Sequence, residues 1–225
     1  MNKIEIFGDS VMGGVICDSN WRLKFRNDSK YSYLKELGYD IRNNAKIGAT
    51  IKKGLQIIAK RKNELNASTT AILEFGGNDC SYNWKDMFNS EDTLKEPYVS
   101  ISEYSTLISD AIDSIQATGA KVAVCNLVPI DSERYFDWIC TQGPKDTILE
   151  WLGDKQMIYH WHEIYNHELE RIASEKGCDL INIRRNFLLR HDYKQLMSQD
   201  GIHPTEEGYK IIDREFNEYF RFQTA

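Results

Sequence analysis

The chain alternates between short apolar runs and longer segments in which apolar residues recur at helical spacing. One such segment places Tyr104, Ile108 and Ile115 along a single helical face. Parallel strands need a crossover between them, usually a helix, so this alternation predicts a buried parallel sheet. We expect an α/β fold with three layers, α/β/α, around a parallel five-stranded sheet in the flavodoxin-like strand order 2-1-3-4-5. The predicted strands cover residues 3–7, 39–43, 70–75, 120–126 and 178–183, and the predicted helices lie near 29–37, 50–63, 101–118, 160–176 and 205–221.

Two polar turns stand near opposite ends of the chain. The first predicted strand runs into Gly-Asp-Ser at residues 8–10, and residues 200–204 read Asp-Gly-Ile-His-Pro. Open α/β sheets bind ligands at the carboxyl edge of their strands, which is where the Ser10 hydroxyl is expected. A hydroxyl becomes a nucleophile when an imidazole held by a carboxylate takes its proton, and Asp200 and His203 supply those two groups. The two turns therefore carry the parts of a serine hydrolase, which folding must bring together.

Two further segments follow predicted strands. Residues 43–50 (Asn-Asn-Ala-Lys-Ile-Gly-Ala-Thr) come after the second strand, and residues 76–79 (Gly-Gly-Asn-Asp) come after the third. In the expected strand order the third strand lies beside the first, which brings Asn78 near Ser10. The intermediate of acyl transfer needs hydrogen-bond donors aimed at its oxyanion. The backbone N–H of a glycine such as Gly48 and the side-chain amide of Asn78 are donors of this kind.

These segments resemble the sequence blocks of the SGNH hydrolases, which are also called the GDSL esterase and lipase family. Ser10 stands at the nucleophile of the first block. Gly48 and Asn78 stand at the glycine and the asparagine of the second and third blocks. Asp200 and His203 stand in the Asp-x-x-His-Pro of the fifth block. The blocks occur in the family order and together span nearly the whole chain, so the match is specific.

The chain departs from the family pattern at few positions. Val11 follows the serine where the family name has leucine, and Ala45 replaces a common glycine of the second block. Neither change removes a catalytic group. Asp9 is expected to order the serine turn, as its analogue does in the family. The Gly-x-Ser-x-Gly elbow of the α/β-hydrolases is not satisfied, because Met12 occupies its second glycine position.

The resemblance implies the SGNH hydrolase fold and a carboxylic ester hydrolase with Ser10, Asp200 and His203 as catalytic residues. It also implies an oxyanion hole formed by Ser10, Gly48 and Asn78. It implies neither a metal nor an organic cofactor, and its substrate is a small-molecule ester. Family members include carbohydrate O-acetylesterases, lysophospholipases, thioesterases and arylesterases.

The amino-acid composition limits which domain organisation, partners and cellular location are expected. The 225 residues are 41% hydrophobic and contain no linker or repeat, so we expect one domain over residues 1–225. A net charge of −6 and a pI near 5.5 argue against a nucleic-acid partner, because phosphate binding needs a basic face. No apolar run is long enough to span a membrane, and no signal peptide is visible. Five scattered cysteines suit a reduced compartment, so the expected location is cytoplasmic.

Two long segments interrupt the alternation of strands and helices and are rich in aromatic residues. Residues 80–99 and 128–159 each follow the carboxyl end of a predicted strand, so each is positioned to form a wall of the active site. We expect Trp84 and Trp138 to contact the substrate. Aromatic rings stack on sugar faces, and the sequence shows no obvious long apolar lid. Together these features favour a short acyl group, such as acetyl, on a sugar-like alcohol.

Each motif residue also has a common structural role. Ser10 is a natural N-cap for a helix after the first strand, and the turn at 200–203 is a natural start for the helix that follows. Gly48 and Asn78 are frequent turn residues. The occurrence of all four blocks in family order nevertheless favours the catalytic interpretation.

Two other classes stay open at this stage. One is a metal-dependent phosphoesterase that would use Asp9, Asn78, Asp79 and His203; the other is a binding module that keeps the fold without turnover. A cluster formed by the histidines at 160, 162 and 167 resembles a metal site only superficially. Alternate residues of a helix point in different directions, so surface or structural roles are favoured for these three.

Overall fold

The computed structural model describes residues 2–26, 31–87 and 96–223. In chain order the elements are β1 (Lys3–Gly8), α1 (Ser10–Gly13), β2 (Val15–Cys17), β3 (Leu23–Phe25), α2 (Ser32–Glu36), β4 (Asp40–Asn43), α3 (Ile51–Arg61), β5 (Thr69–Glu74), α4 (Trp84–Met87), α5 (Ile101–Gln116), β6 (Lys121–Cys125), α6 (Ser132–Ile139), α7 (Lys145–Leu152), α8 (Gln156–Glu175), β7 (Asp179–Ile181), α9 (Ile183–Leu188) and α10 (Glu206–Gln223). Short 3₁₀ turns occur at Lys62–Glu64 and Tyr193–Leu196.

A parallel sheet of five strands forms the centre of the fold. Its strand order is β4-β1-β5-β6-β7, which is the predicted order 2-1-3-4-5 when only the sheet strands are counted. Gly8 at the end of β1 lies opposite Glu74 at the end of β5. The loops that follow these two strands therefore leave the same edge side by side, as expected for the segments that carry Ser10 and Asn78.

Helices cover both faces of the sheet, which confirms the three-layer α/β/α prediction. Successive side chains of a strand point to opposite faces of the sheet, so each apolar strand contributes to the hydrophobic core on both faces. Phe7, Leu73 and Val124 pack on the side of α3, α5 and α8. Ile6 and Ile72 pack on the side of α2, α9 and α10. Among the described residues, no helix is long and apolar enough to cross a bilayer.

Several element boundaries differ from the predicted ones. The last strand ends at Ile181, because the side chain of Asn182 accepts a hydrogen bond from the backbone N–H of Arg185 (3.1 Å) and caps α9. Helix α8 begins at residue 156, before the predicted start at 160. The predicted helix at 29–37 begins among residues 27–30, which lie outside the described ranges, and α2 covers residues 32–36.

The segment at 128–159 contains helices that the sequence patterns did not predict. Helices α6, α7 and the start of α8 form a third hydrophobic cluster with Trp84 of α4, separate from the two cores that flank the sheet. Tyr82, Trp84, Trp151 and Trp161 make ring contacts with centroid separations of 5.0–6.1 Å. We call this cluster the aromatic cap. Residues 88–95 of the other long segment lie outside the described ranges.

Gly8 has no room for a side chain. A Cβ at this position would lie 2.5 Å from Cγ of Met12 and 3.0 Å from the backbone oxygen of Glu74. The close approach of α1 to the end of β1 therefore requires glycine, and it sets where the next residues of the turn lie.

We expect Gly8→Ala to lower the free energy of unfolding by about 1–3 kcal/mol through overpacking. Gly13→Ala is the matched control, because a Cβ there meets only Val15 Cγ2 at 3.9 Å. Urea denaturation of the two variants measures the difference. Equal midpoints for both variants would contradict the steric argument.

Candidate active site

The serine turn is held by the carboxylate of Asp9. Its Oδ1 accepts a hydrogen bond from the backbone N–H of Val11 (2.8 Å), so Asp9 is the N-cap of α1. The next residue, Ser10, is 7% exposed. A cap of this kind fixes the backbone at the start of a helix and with it the direction of the serine side chain.

The histidine turn is organised by the carboxylate of Asp200. Its Oδ1 accepts the backbone N–H groups of Ile202 (3.2 Å) and His203 (3.1 Å), and its Oδ2 lies 2.6 Å from Nδ1 of the His203 ring. Gly201 between them has a φ of +72°, and a Cβ there would lie 2.4 Å from the backbone oxygen of Asp131. One carboxylate thus holds both the loop and the ring.

Folding joins these two turns in one hydrogen-bond chain. Nε2 of His203 lies 2.8 Å from Oγ of Ser10, although the two residues are 193 positions apart in sequence. Burial opposes ionisation of Asp200, but the hydrogen bond and charge of His203 and two backbone N–H groups outweigh it and lower the Asp200 pKa. An ionised carboxylate, an imidazole and a hydroxyl in this order can pass the hydroxyl proton to the imidazole.

The structure brings Asn78 to the serine turn, as predicted. Its side-chain amide donates to Asp9 Oδ2 (2.8 Å) and, over a longer distance, to the backbone oxygen of Ala49 (3.2 Å). The predicted donor Gly48 precedes Ala49 and is exposed. Within the described part of the chain, no acceptor is found for the backbone N–H of Ser10 or of Gly48.

A cavity of about 60 Å³ opens beside Ser10 and His203. Both aromatic segments contribute to its walls, through Trp84 from one and Tyr135 from the other. The sequence also named Trp138, which does not line the cavity; it stacks on Tyr135 with the ring centroids 5.6 Å apart. The residues that line the cavity with Ser10 are largely apolar or aromatic and include Leu127, Ile130, Tyr135, Ile158, Trp161 and Ile202.

His162 also lines this cavity, which the sequence interpretation missed. Its side chain is 4% exposed, whereas His160 and His167 on the same helix are exposed. Burial, aided by the charge of Arg184, holds the His162 pKa well below its usual value. The spacing of His162 from the apolar residues Ile158, Tyr165 and Leu169 was the signal that could have placed it on the buried face of α8.

Three carboxyl groups are buried in or near the serine turn. Burial is the largest cause that raises each of their pKa values: Asp9 to about 6, Asp79 to about 7, and Glu74 well above its usual range. Asp79 Oδ1 accepts the backbone N–H of Ile51 (2.9 Å), and Asp9 holds Val11 and Asn78. Across residues 2–26, 31–87 and 96–223, no group of three or more His, Cys, Asp or Glu side chains is arranged to hold a metal ion.

The profile of the GDSL-like lipase/acylhydrolase family matches residues 6–211, which is most of the chain. The chain belongs to this family. It is therefore a carboxylic ester hydrolase of the SGNH/GDSL type. A search of curated proteins finds no match to the chain.

Solved structures of the same fold agree with the family assignment. A lipase/acylhydrolase from Enterococcus faecalis superimposes with a TM-score of 0.66 at 14% identity, over 99% of this chain and 97% of that one. The psychrotrophic esterase EstA from a Pseudoalteromonas species gives 0.61 at 14% identity, over 100% and 99%. A catalytic mutant of an acetylxylan esterase from Geobacillus stearothermophilus gives 0.61 at 15% identity, over 96% and 92%. At these identities the likeness establishes the fold alone.

The raised pKa of Asp79 predicts a pH-dependent contribution to stability. The folded protein holds this proton up to about pH 7, whereas the unfolded chain releases it near its ordinary value of 3.8. The stabilisation of the folded protein by protonated Asp79 is therefore complete at low pH and is lost as the pH rises through 7. The free energy of unfolding of the wild type, relative to Asp79→Asn, should fall by about 2 kcal/mol between roughly pH 5 and pH 8.

Urea denaturation of both proteins at the two pH values provides this measurement. Asp110→Asn, on the exposed face of α5, is the control for a general effect of removing a carboxylate. A constant difference between wild type and Asp79→Asn would show that Asp79 ionises normally.

Proposed function

We propose that the protein is a serine esterase that hydrolyses short-acyl esters, above all acetyl esters of a carbohydrate or small alcohol, through an acyl-enzyme on Ser10. The observation that carries this proposal is the chain of contacts from Asp200 through His203 to Ser10, with distances of 2.6 and 2.8 Å. All three side chains are buried at the carboxyl edge of the sheet.

The proposed reaction begins with attack of Ser10 Oγ on the ester carbonyl. Nε2 of His203 takes the hydroxyl proton as the new C–O bond forms, and it returns a proton to the alcohol as the old C–O bond breaks. Asp200 keeps the other ring proton on Nδ1 and stabilises the imidazolium. Water then attacks the acyl-enzyme by the same route, which releases the acid and restores the serine.

The oxyanion of the tetrahedral intermediate would be bound by the N–H groups of Ser10 and Gly48 and by the amide of Asn78. The two backbone groups have no other acceptor within the described ranges, which leaves them available to a ligand. We assign to the oxyanion the N–H of Asn78 that makes the longer 3.2 Å bond to Ala49. Asp9, at 2.8 Å from the same amide, keeps the other N–H and so fixes the plane of the group.

The size of the cavity supports a short acyl group. The cavity beside Ser10 has a volume of about 60 Å³, and a water molecule alone needs at least ~10–15 Å³ of such space. An acetyl group fits a cavity of this size, whereas the tail of an octanoyl ester would stay outside and gain little from burial.

The same cavity supports an alcohol that presents flat apolar faces. Trp84 and Trp161 are rings of the aromatic cap that line it, and such rings stack well on sugars. One structure of the same fold is an acetylxylan esterase, which supports a carbohydrate acetate as the substrate class. A lysophospholipase or thioesterase is the alternative within the family.

We expect Ser10→Ala to lose ester hydrolysis by roughly 10⁴-fold or more, because it removes the hydroxyl that His203 contacts. A fluorophosphonate probe should label Ser10 in the wild type, as peptide mass spectrometry can show. Ser81→Ala is the matched control, since Ser81 lines the same cavity without a histidine partner, and this variant should still be labelled.

Full activity in a folded Ser10→Ala protein would refute the serine mechanism. Activity that is lost in EDTA and restored by a divalent cation would favour the metal-dependent phosphoesterase instead.

We expect Asp9→Asn to lower kcat by about 10–100-fold with little change in KM. An amide at residue 9 can no longer offer Asn78 a carboxylate, so the Asn78 donor loses its alignment with the oxyanion. Asp79→Asn is the matched control, because Asp79 is a buried carboxyl next to Asn78 in sequence that accepts a hydrogen bond from Ile51 and not from Asn78. A normal kcat in Asp9→Asn would show that Asp9 does not position the amide.

We expect kcat/KM for p-nitrophenyl esters to be highest for acetate and to fall by about tenfold or more by octanoate, because a long chain stays unburied. Trp84→Ala should reduce this preference by enlarging the cavity. Trp138→Ala should alter it less, since Trp138 lies behind Tyr135. Faster hydrolysis of octanoate than of acetate would replace the acetylesterase with a lipase or thioesterase.

A further inference from the structure

Neither ring nitrogen of His162 has a hydrogen-bond partner among the residues that the structure describes. Its Nδ1 is fully buried without a hydrogen-bond partner, and within the described ranges no hydrogen bond to its Nε2 is found. The ring lines the cavity that also contains Ser10 and His203. A buried imidazole without partners is costly, so an unpaired nitrogen in a cavity is a candidate ligand contact.

The charge of Arg184 bears on which nitrogen of His162 carries the proton. Nη1 of Arg184 donates to the backbone oxygen of Leu127 (3.1 Å), and Nη2 donates to Tyr159 (2.9 Å) and Glu163. The Nε atom of Arg184 is buried and has no hydrogen-bond partner, and the same holds for Nδ1 of His162. The guanidinium charge helps to lower the pKa of the His162 ring. The two nitrogen atoms are not hydrogen-bonded to each other, and an N–H group left unpaired on the fully buried Nδ1 would cost more than a lone pair close to a positive charge. We therefore place the proton on Nε2.

We propose that the Nε2–H of His162 donates a hydrogen bond to an oxygen atom of the substrate and so selects esters that carry an ether, hydroxyl or carbonyl oxygen close to the ester group. This inference rests on the proposed esterase function. The oxygen belongs either to the acyl group or to the alcohol, and both sources share the same acceptor chemistry.

The environment keeps His162 in the form that this role needs. Burial and the Arg184 charge lower its pKa, so the ring stays neutral and has a single N–H to give. A hydrocarbon group in the cavity would leave that N–H unpaired, whereas an oxygen at the same place satisfies it. A site built to bond an oxygen discriminates against the analogue that lacks it.

Isosteric pairs of esters test this selection, because an ether oxygen replaces a methylene with little change in shape. On the acyl side the pair is 4-nitrophenyl methoxyacetate and 4-nitrophenyl butyrate. On the alcohol side it is tetrahydropyran-4-yl acetate and cyclohexyl acetate. The ratio of kcat/KM within a pair cancels any general loss of activity, and an uncatalysed hydrolysis rate corrects for intrinsic reactivity.

We expect the wild type to prefer the oxygen-bearing ester of one pair, and His162→Phe to reduce that preference by about 3–10-fold. The pair that responds identifies the acyl or the alcohol side. His162→Gln, which keeps an N–H donor, should recover part of the preference. His160→Phe, an exposed histidine of the same helix, should leave both ratios unchanged. Equal ratios in wild type and His162→Phe for both pairs would overturn the proposal.

Long-range ¹H–¹⁵N correlation spectra of the imidazoles at pH 7 test the same inference without any substrate. The neutral tautomer protonated on Nε2 is expected for His162, with assignment by loss of its signals in His162→Gln. A neutral ring protonated on Nδ1, or an imidazolium, would overturn the proposal. Hydrolysis of none of the four esters by the wild type would instead refute the esterase function, and the tautomer would then decide the His162 inference alone.

Discussion

The 2.8 Å contact between His203 and Ser10 is the interaction on which the arrangement of this site depends. Local structure cannot bring these two residues together, because they lie near opposite ends of the chain. The sheet supplies the meeting point, and each partner is held by a carboxylate of its own turn. Asp9 fixes the backbone after β1, and Asp200 fixes both the loop and the ring before α10. A substitution that changes the conformation of either turn would therefore separate the base from the hydroxyl.

The strand order and the position of the motifs followed from the sequence because they depend on local patterns. Each strand of the sheet is a short apolar run, and a parallel sheet needs a crossover between each pair of strands. Once β1 and β5 are neighbours, the turns after them must meet at one edge. Ser10 and Asn78 could thus be brought together from the strand order, and His203 was added from the resemblance of its turn to the family's fifth block, whereas the contacts of Gly48 could not be predicted.

The aromatic segment at 128–159 was harder to interpret, because its helices are short and pack mainly on one another. Their buried residues face the third hydrophobic cluster rather than the sheet, and α6 and α7 have only 8 residues each, which is about two turns and too short for a periodic pattern to be distinctive. Trp138 and His162 show the same difficulty at the level of single residues. Which of two neighbouring rings lines a cavity depends on tertiary packing. A histidine is a polar residue in a sequence pattern, so the pattern does not show that it is buried. The pairing of β2 with β3 was not predicted either, because each strand has only 3 residues.

Helix α6 has two roles. It forms part of the cavity wall, and it also holds the histidine loop. Tyr135 faces the cavity, while the N–H of Asp131 donates to the Gly201 oxygen (2.8 Å) and Arg134 donates to the Met197 oxygen (2.7 Å). The cavity wall and the support of the His203 loop therefore both depend on where this one helix lies. A displacement of α6 would change the shape of the cavity and the position of the catalytic base together.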